Sequence, residues 1–375
     1  MPKLKNQSQQ TIPPLILAVD TSCDDTSASV MRGQTILSNV IASQTQLHKQ
    51  YGGVFPTVAK QAHKENILPT ISAALKKANT SLTELSALAV TVGPGLAPAL
   101  EVGITTIKQL ATDNCLPLIA VNHIEGHALS AIAQSKTKTE SNNTAPIQHG
   151  KEIIYPVLSV VVSGGHTQFI YFEKIGEYKI LGSTIDDAAG ECLDKIGRML
   201  NLGYPAGPVI EKFAKLGDPL KIEFPLPMTG IKTFDMSFSG MKTFARNYIQ
   251  KNTESKSMTK QDIYDFCASA QYSVFRHITY KLSKLLIVTP INEIWLGGGV
   301  AQNISLRRTI REIAKKYSKS KNEPITFRFP HTNRLCMDNA AMIGLVANYK
   351  YERGEFVTDF ETVDRKPRWE IGESL

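Results

Sequence analysis

"LILAVDTSCDDTSASVMRG", residues 15–33, decides how the chain folds. An apolar, β-branched run gives way to a cluster of Thr, Ser, Cys and Asp, and a second such run follows at once. That is the pattern of a strand, a tight polar turn and a strand. It returns at "YPVLSVVVSGGHTQFIYFEKIGEY", residues 155–178, with Ser-Gly-Gly-His at the turn. Mixed α/β patterning follows each opening. "LSALAVTVGPGLAPALEVGITTIKQLA" (85–111) predicts a strand, a Gly-Pro-Gly turn and a helix, and "LPLIAVNHIEGHALSAIAQ" (116–134) a short buried strand running into a helix. "DDAAGECLDKIGRMLNLG" (186–203) predicts a helix capped by Asp186 or Asp187 and closed by Gly203. "INEIWLGGGVAQNISLRRTIREIAKKY" (291–317) predicts a strand, a triple-glycine turn and a basic helix, and "CMDNAAMIGLVANYKYERG" (336–354) a final helix. This is weak internal duplication, not a short-period repeat. Two α/β domains facing each other across a cleft would bring both polar turns to one place. Glycine-rich turns let backbone N–H groups approach phosphates closely, so "DTSCDD", "SGGHT" and "GGGVAQN" together point to a nucleotide in that cleft.

The chain has 375 residues, which suits two domains. Residues 1–14 read as a disordered tail and 135–152, polar and aperiodic, as a flexible insertion at the boundary. The expected division is 15–134, completed by a C-terminal helix near 336–354, and 153–335. The 42 Lys+Arg against 34 Asp+Glu give a net charge of +8, which leans toward a polyanion such as nucleic acid but also fits a solvated basic surface. Cys23, Cys115, Cys192, Cys267 and Cys336 form no C-x-x-C pair, which argues against a disulfide framework or a thiolate zinc knuckle and fits a reducing cytosol. No apolar run approaches the roughly 20 residues of a membrane helix. The N-terminus lacks the apolar stretch of a secretory signal.

"NHIEGHAL" (122–129) places His123 and His127 one helical turn apart, so both could bind one metal ion. The plainer reading is two histidines satisfied by backbone at a helix start. Zinc-protease helices place the glutamate directly after the first histidine. Here Ile124 holds that position, and Glu125 falls about 200° round the helix from His123, so the protease reading loses its base. Two imidazoles and one carboxylate with open positions suit iron(II) or zinc. Asp338 in "CMDNAA" is the candidate third ligand, and its plainer reading is an N-cap.

Nine segments in order, "DTSCDDTSASV", "YGGVFP", "VGPGLAPAL", "HIEGHALS", "VVSGGHTQ", "TIDDAAGECLDKIGRMLNLGYPAGP", "FSGMKT", "LGGGVAQN" and "CMDNAAMIG", resemble the signatures of the TsaD family, the tRNA threonylcarbamoyladenosine synthases. The resemblance runs from about 15 to 370 and is closer to the bacterial and organellar branch. It implies an α/β, actin/Hsp70-like (ASKHA) fold of two RNase H-like domains around a nucleotide cleft. It implies transfer of a threonylcarbamoyl group from threonylcarbamoyl-AMP to N6 of the adenosine 3′ of the anticodon, in tRNAs reading ANN codons. It implies one divalent ion, iron(II) favoured and zinc possible, on His123, His127 and Asp338. It places substrate binding at Val161, Val162, Ser163, Gly164, Gly165, Asp194, Gly207 and Asn303, with Asp194 toward the ribose hydroxyls. Asp24, Ser163 and His166 are the candidate catalytic residues; the plainer roles are turn chemistry for Asp24 and packing under the hairpin for His166. Asp187, Glu191 and Asp194 would share a helix stripe, with Glu191 also placed to pair with Lys195.

The chain departs from the family in several places. Asp20 and Asp25 stand where glutamate is usual; a shorter carboxylate reaches about one methylene less, so these two are read as holding waters or partner groups. Ala206 replaces a glycine, and Glu101 stands where an apolar residue is expected. Basic segments 238–260, 307–321 and 365–369 fit tRNA phosphates or plain solvated faces, with Lys242 the candidate nearest the cleft. The resemblance further implies a TsaB-like paralogue, a TsaE-like ATPase, a separate TsaC-like synthase supplying the adenylate, and a cytoplasmic location. Competing readings are an O-carbamoyltransferase of the NodU type acting on a small acceptor, against which the absence of a larger C-terminal region counts, and a non-catalytic ATP-binding scaffold, which needs no metal triad.

Overall fold

A computed structural model describes residues 12–135, 152–255 and 258–375. Residues 1–11 and most of the 135–152 insertion lie outside the described residues. The first polar turn joins β1 (Leu15–Asp20) to β2 (Asp25–Arg32), which hairpins to β3 (Thr35–Ser43). After α1 (Thr45–Lys49) and α2 (Pro56–Ala78) come β4 (Ala87–Gly93), α3 (Ala97–Asp113), β5 (Leu118–Asn122), α4 (His123–Leu129) and β6 (Gln134–Ser135). The sheet order is β5-β4-β1-β2-β3-β6.

The second polar turn joins β7 (Val157–Val162) to β8 (Thr167–Lys174), followed by β9 (Glu177–Ser183). Four helices follow: α5 (Ala189–Met199), α6 (Gly207–Ala214), α7 (Ser239–Ser255) and α8 (Lys260–Val288). Then come β10 (Glu293–Gly297), α9 (Ile304–Lys321), β11 (Thr326–Arg328) and α10 (Ala340–Glu352). The second sheet runs β11-β10-β7-β8-β9. It repeats the five-strand core of the first, position for position. In each, an opening strand pairs antiparallel with the next and parallel with a later strand (β1 with β2 and β4, β7 with β8 and β10). The duplication suspected from the two turns is therefore topological.

Three apolar layers hold the sheets. Leu17, Val19, Leu88 and Val90 pack with Ile67, Ile71, Leu100 and Ile107 on the outer side of the first sheet. Val160, Val162 and Leu296 pack with Ile196, Phe238, Phe266 and Ile310 on the outer side of the second. The middle layer joins the two: Ile16, Ala18 and Met31, from the first sheet, meet Val161 and Trp295, from the second, around Ile124, Met342 and Ile343. The helix carrying "HIEGH" thus lies between the sheets, with α10 against it. Gly126 permits the crossing, because a Cβ there would lie 2.9 Å from Met342 Cγ and 3.1 Å from Ile343 Cδ1. On the other flank, a Cβ at Gly297 would stand 2.1 Å from the carbonyl oxygen of His127. The triple-glycine turn is therefore partly a packing device for α4.

Several local expectations change. Helix α5 begins at Ala189, and neither Asp186 nor Asp187 caps it; the Ala189 N–H donates to Thr167 Oγ1 instead. Asp186 accepts from the Phe238 N–H and Ser237 hydroxyl, while Asp187 pairs with Lys195 at 2.7 Å and Lys242 at 2.6 Å. Asp187 thus precedes the helix and does not share its stripe. The helix ends at Met199, with Asn201 in the left-handed region, before Gly203 is reached. Glu101 does not disturb packing: it is a surface carboxylate bonded to Lys60 at 2.9 Å and Arg365 at 2.7 Å. All five cysteines are free. No helix among the described residues is long and apolar enough to cross a membrane.

Two tests follow from this packing. Glu293 is fully buried at the start of β10 and accepts from Arg328, the Trp295 indole N–H and the Ile154 N–H. Glu293→Ala strands those donors and is expected to cost about 3 kcal/mol or more in urea unfolding. The second concerns His277 in α8, whose Nε2 accepts from the Ser237 N–H and whose pKa burial lowers to about 4. The unfolded chain takes up that proton near pH 6.5 while the fold refuses it, so stability falls as pH drops through that window. His277→Phe should flatten that part of a stability–pH profile.

Candidate metal centre and cleft

The last strand residue before α4, Asn122, caps the helix: its side chain accepts from the Ile124 N–H at 2.8 Å and the Glu125 N–H at 3.2 Å. That cap fixes where the helix starts and so which way both imidazoles point. At the head of α10, Asn339 takes the cap, accepting from the Ala341 and Met342 N–H groups. Asp338, one residue earlier, is thereby free of the capping role. It lies 3.1 Å from His127 Nε2 and 3.5 Å from His123 Nε2. One ligand atom from each of the three lies within 4.8 Å of the others. The rings of His123 and His127 stand at 83° with centroids 4.7 Å apart.

The electrostatics suit a cation. Burial would raise the Asp338 carboxyl, but the two histidines outweigh it and hold it well below the usual carboxylate range. Burial disfavours the His123 cation, yet Asp338 and Asp20 lift this group to about 10. Burial keeps His127 below the ordinary imidazole value. His127 Nδ1 is buried without a hydrogen-bond partner. Two buried imidazoles crowded onto one carboxylate are a donor set that fits a divalent ion with positions left open. His123, His127 and Asp338 can hold a metal ion. Glu125 points elsewhere: it is buried on the opposite side and accepts from the Tyr178 hydroxyl at 2.8 Å.

His123 and Asp338 border a cavity of about 490 Å³. The first sheet contributes Ser22, Cys23 and Asp24 to its wall, and the second contributes Ser163, Gly164, Gly165 and His166. The two polar turns, 20–25 and 162–167, therefore face each other. Asp194 lines the far side with Lys195, Arg198 and Tyr204. Burial pushes the Asp24 carboxyl up, with Asp338 adding to the effect. Burial, followed by the charges of His123 and His127, lowers His166 to about 4, so this ring is neutral near pH 7. The backbone N–H of His166 donates to Ser163 Oγ at 3.0 Å and closes the turn.

The remaining expected site residues sit differently. Val161 and Val162 have fully buried side chains, so only their backbone is near the turn. Asp194 Oδ1 accepts from the Ala206 N–H at 2.8 Å and the Gly207 N–H at 3.0 Å, which places Gly207 behind Asp194 and outside the cavity lining. Asn303 is also outside the lining; it caps α9 through Ser305 and Leu306 and donates to Gln271 at 2.7 Å. Glu191 pairs with Lys195 at 2.9 Å, the plainer of its two readings. Lys242 bonds Asp187, outside the cavity. Of the basic stretches, Arg307 and Arg311 lie over the Phe329 ring, and the C-terminal stretch packs back on β4, with Lys366 donating to Val92. Sequence reasoning did not single out Cys23, Gly95, Arg198 and Tyr204 as lining residues. Each lies in a quoted segment, but nothing in the residue types distinguishes lining from support.

The family model for TsaD, tRNA N6-adenosine threonylcarbamoyltransferase, matches residues 35–345. A relative of that name from Geotalea uraniireducens (strain Rf4) is 40% identical over 358 residues, covering 95% of this chain and 96% of its own. One from Clostridioides difficile (strain 630) is 42% identical over 343 residues, covering 91% and 94%. Among solved structures, T. kodakarensis HypF superposes with a TM-score of 0.58 at 15% identity, over 93% of this chain and 49% of that one. That likeness is one of fold, and the fold is the ASKHA type with its paired sheets. Chelated protein given Zn²⁺ should unfold at a higher temperature, and His127→Ala and Asp338→Ala should each abolish that rise and the bound metal measured by mass spectrometry.

Proposed function

The chain belongs to the TsaD family, the tRNA N6-adenosine threonylcarbamoyltransferases, and from that premise we propose how its cleft works. It transfers a threonylcarbamoyl group to N6 of an adenosine in tRNA, forming t6A. The donor is threonylcarbamoyl-AMP, and the acceptor is the adenosine 3′ of the anticodon in tRNAs reading ANN codons. The observation that carries this reading is the meeting of His123, His127 and Asp338 at a cavity walled by both polar turns. The division into 15–134 with 336–354, and 153–335, is supported by the two sheets.

The adenylate's phosphate lies along the Ser163–Gly165 turn, where open space beside Gly164 and Gly165 lets the backbone approach closely. The Val161 and Val162 backbone extends that cradle. Asp194 spends one oxygen on the 206–207 turn and offers the other to a ribose hydroxyl. Gly207 supports Asp194, and Asn303 supports the triple-glycine turn through α9, each at one remove from substrate. His123, His127 and Asp338 would hold a divalent ion, iron(II) or zinc, which would supply Lewis-acid polarisation when bound. N6 forms the new bond to the carbamoyl carbon as the bond from that carbon to the phosphate oxygen breaks, releasing AMP. Asp24, whose carboxyl burial makes more basic than an ordinary carboxylate, takes the proton that N6 gives up. The neutral His166 donates a hydrogen bond to the departing phosphate, and Ser163 steadies the turn that places it.

The reading places the protein in the cytoplasm, with tRNA held by its basic surface and with TsaB-like and TsaE-like partners and a TsaC-like synthase. Single-turnover assay with threonylcarbamoyl-AMP and unmodified tRNA tests it. The wild type should form t6A and AMP in equal amounts, and Asp24→Asn should slow the step by about 10²-fold or more. If the metal-loaded wild type leaves tRNA unmodified with its partners present, the reading falls.

A further inference from the structure

We propose that Asp20 is a positioning residue for the metal centre: its buried carboxylate fixes the His123 ring from behind, so that Nε2 is the atom presented to the ion. Asp20 ends β1 and is entirely buried. Its Oδ1 accepts from the Ser22 N–H at 3.2 Å. Its Oδ2 has no hydrogen-bond partner and lies 3.6 Å from His123 Nδ1. The Ser22 hydroxyl lies 2.9 Å from the same nitrogen. The other nitrogen, Nε2, faces Asp338 at 3.5 Å. The two ring nitrogens are thus sorted, one toward the first turn and one toward the third ligand.

A buried carboxylate oxygen without a partner is costly and calls for an explanation. A ligating imidazole supplies one. With Nε2 on an ion, Nδ1 must carry the proton, and the ion's charge makes that N–H a stronger donor. A carboxylate behind it fixes the tautomer and raises the basicity of the ligand atom. Ser22 offers the nearer but uncharged acceptor. His127 has no such support, since its Nδ1 finds no partner. The two histidines are therefore unequal: His123 is the anchored ligand, and the turn that walls the cavity also sets the metal's geometry.

This inference rests on the metal reading of His123, His127 and Asp338. It is tested on the full chain by chelator competition with Zn²⁺ and by the visible spectrum of the Co²⁺ form. Asp20→Asn should weaken Zn²⁺ binding about 10–100-fold and shift the Co²⁺ bands. The Co²⁺ band shift, read on folded protein, is the signature that a merely structural role would not move. Asp20→Glu, which keeps the charge and adds a methylene, should bind within a few-fold of wild type. In a His123→Ala background, Asp20→Asn should have no further effect. Unchanged Zn²⁺ affinity in Asp20→Asn, with His123→Ala severely weakened, overturns the proposal alone. If His123→Ala binds as the wild type does, the metal reading falls and takes this proposal with it. Should Asp20→Asn not fold, Ser22→Ala and Asp20→Glu carry the test, and equal loss of affinity in both overturns it.

Discussion

Two imidazoles from one short helix and a carboxylate from a residue more than two hundred positions later converge because α4 is clamped between the sheets. The rest of the cleft depends on that clamp. The middle apolar layer, shared by Ile16, Ala18, Val161, Trp295 and Met342, leaves α4 no freedom to roll. Gly126 lets α10 approach on one flank and Gly297 lets β10 approach on the other. With α10 so placed, Asp338 can only end beside the histidines. Close-packed interiors resist deformation, so the ligand geometry is inherited from the core.

The same clamp sets the electrostatics. Burying two imidazoles and several carboxylates near one another is unfavourable unless charge is compensated. Asp338 is held ionised by the histidines, while Asp24, facing the same cavity, is pushed the other way by burial and by Asp338 itself. Neighbouring carboxylates with opposite tendencies suit different tasks, one as a permanent anion and one as a proton acceptor. His166, kept neutral by burial, can donate one hydrogen bond without adding positive charge beside the centre.

Much of this was legible in the sequence. Alternating apolar runs around "DTSCDD" and "SGGHT" mark strand–turn–strand units, because strand periodicity and turn chemistry are local properties. The His123–His127 spacing is likewise local. Asp338 could be named from the residues only as a candidate, with resemblance favouring it, since spacing cannot show which helix packs against α4. The caps were harder. Asp186 and Asp187 are good capping types, but Lys195, Lys242, the Ser237 hydroxyl and the Phe238 and Ser239 N–H groups compete for them, and tertiary partners win. Asn303 and Gly207 have motif signatures whose local work, capping α9 and bonding Asp194, keeps them off the cavity wall. The pairing of Asp20 with His123 was not legible, because it depends on a separation of 3.6 Å between the end of β1 and the head of α4.

The central claim is that the three-residue centre makes the cleft competent for transfer. Its most direct test is to strip the protein of metal and titrate Fe²⁺ or Zn²⁺ back while following single-turnover modification of tRNA. The stripped chain should show no transfer, and activity should rise to a plateau at one ion per chain. Full transfer by the stripped chain would contradict it.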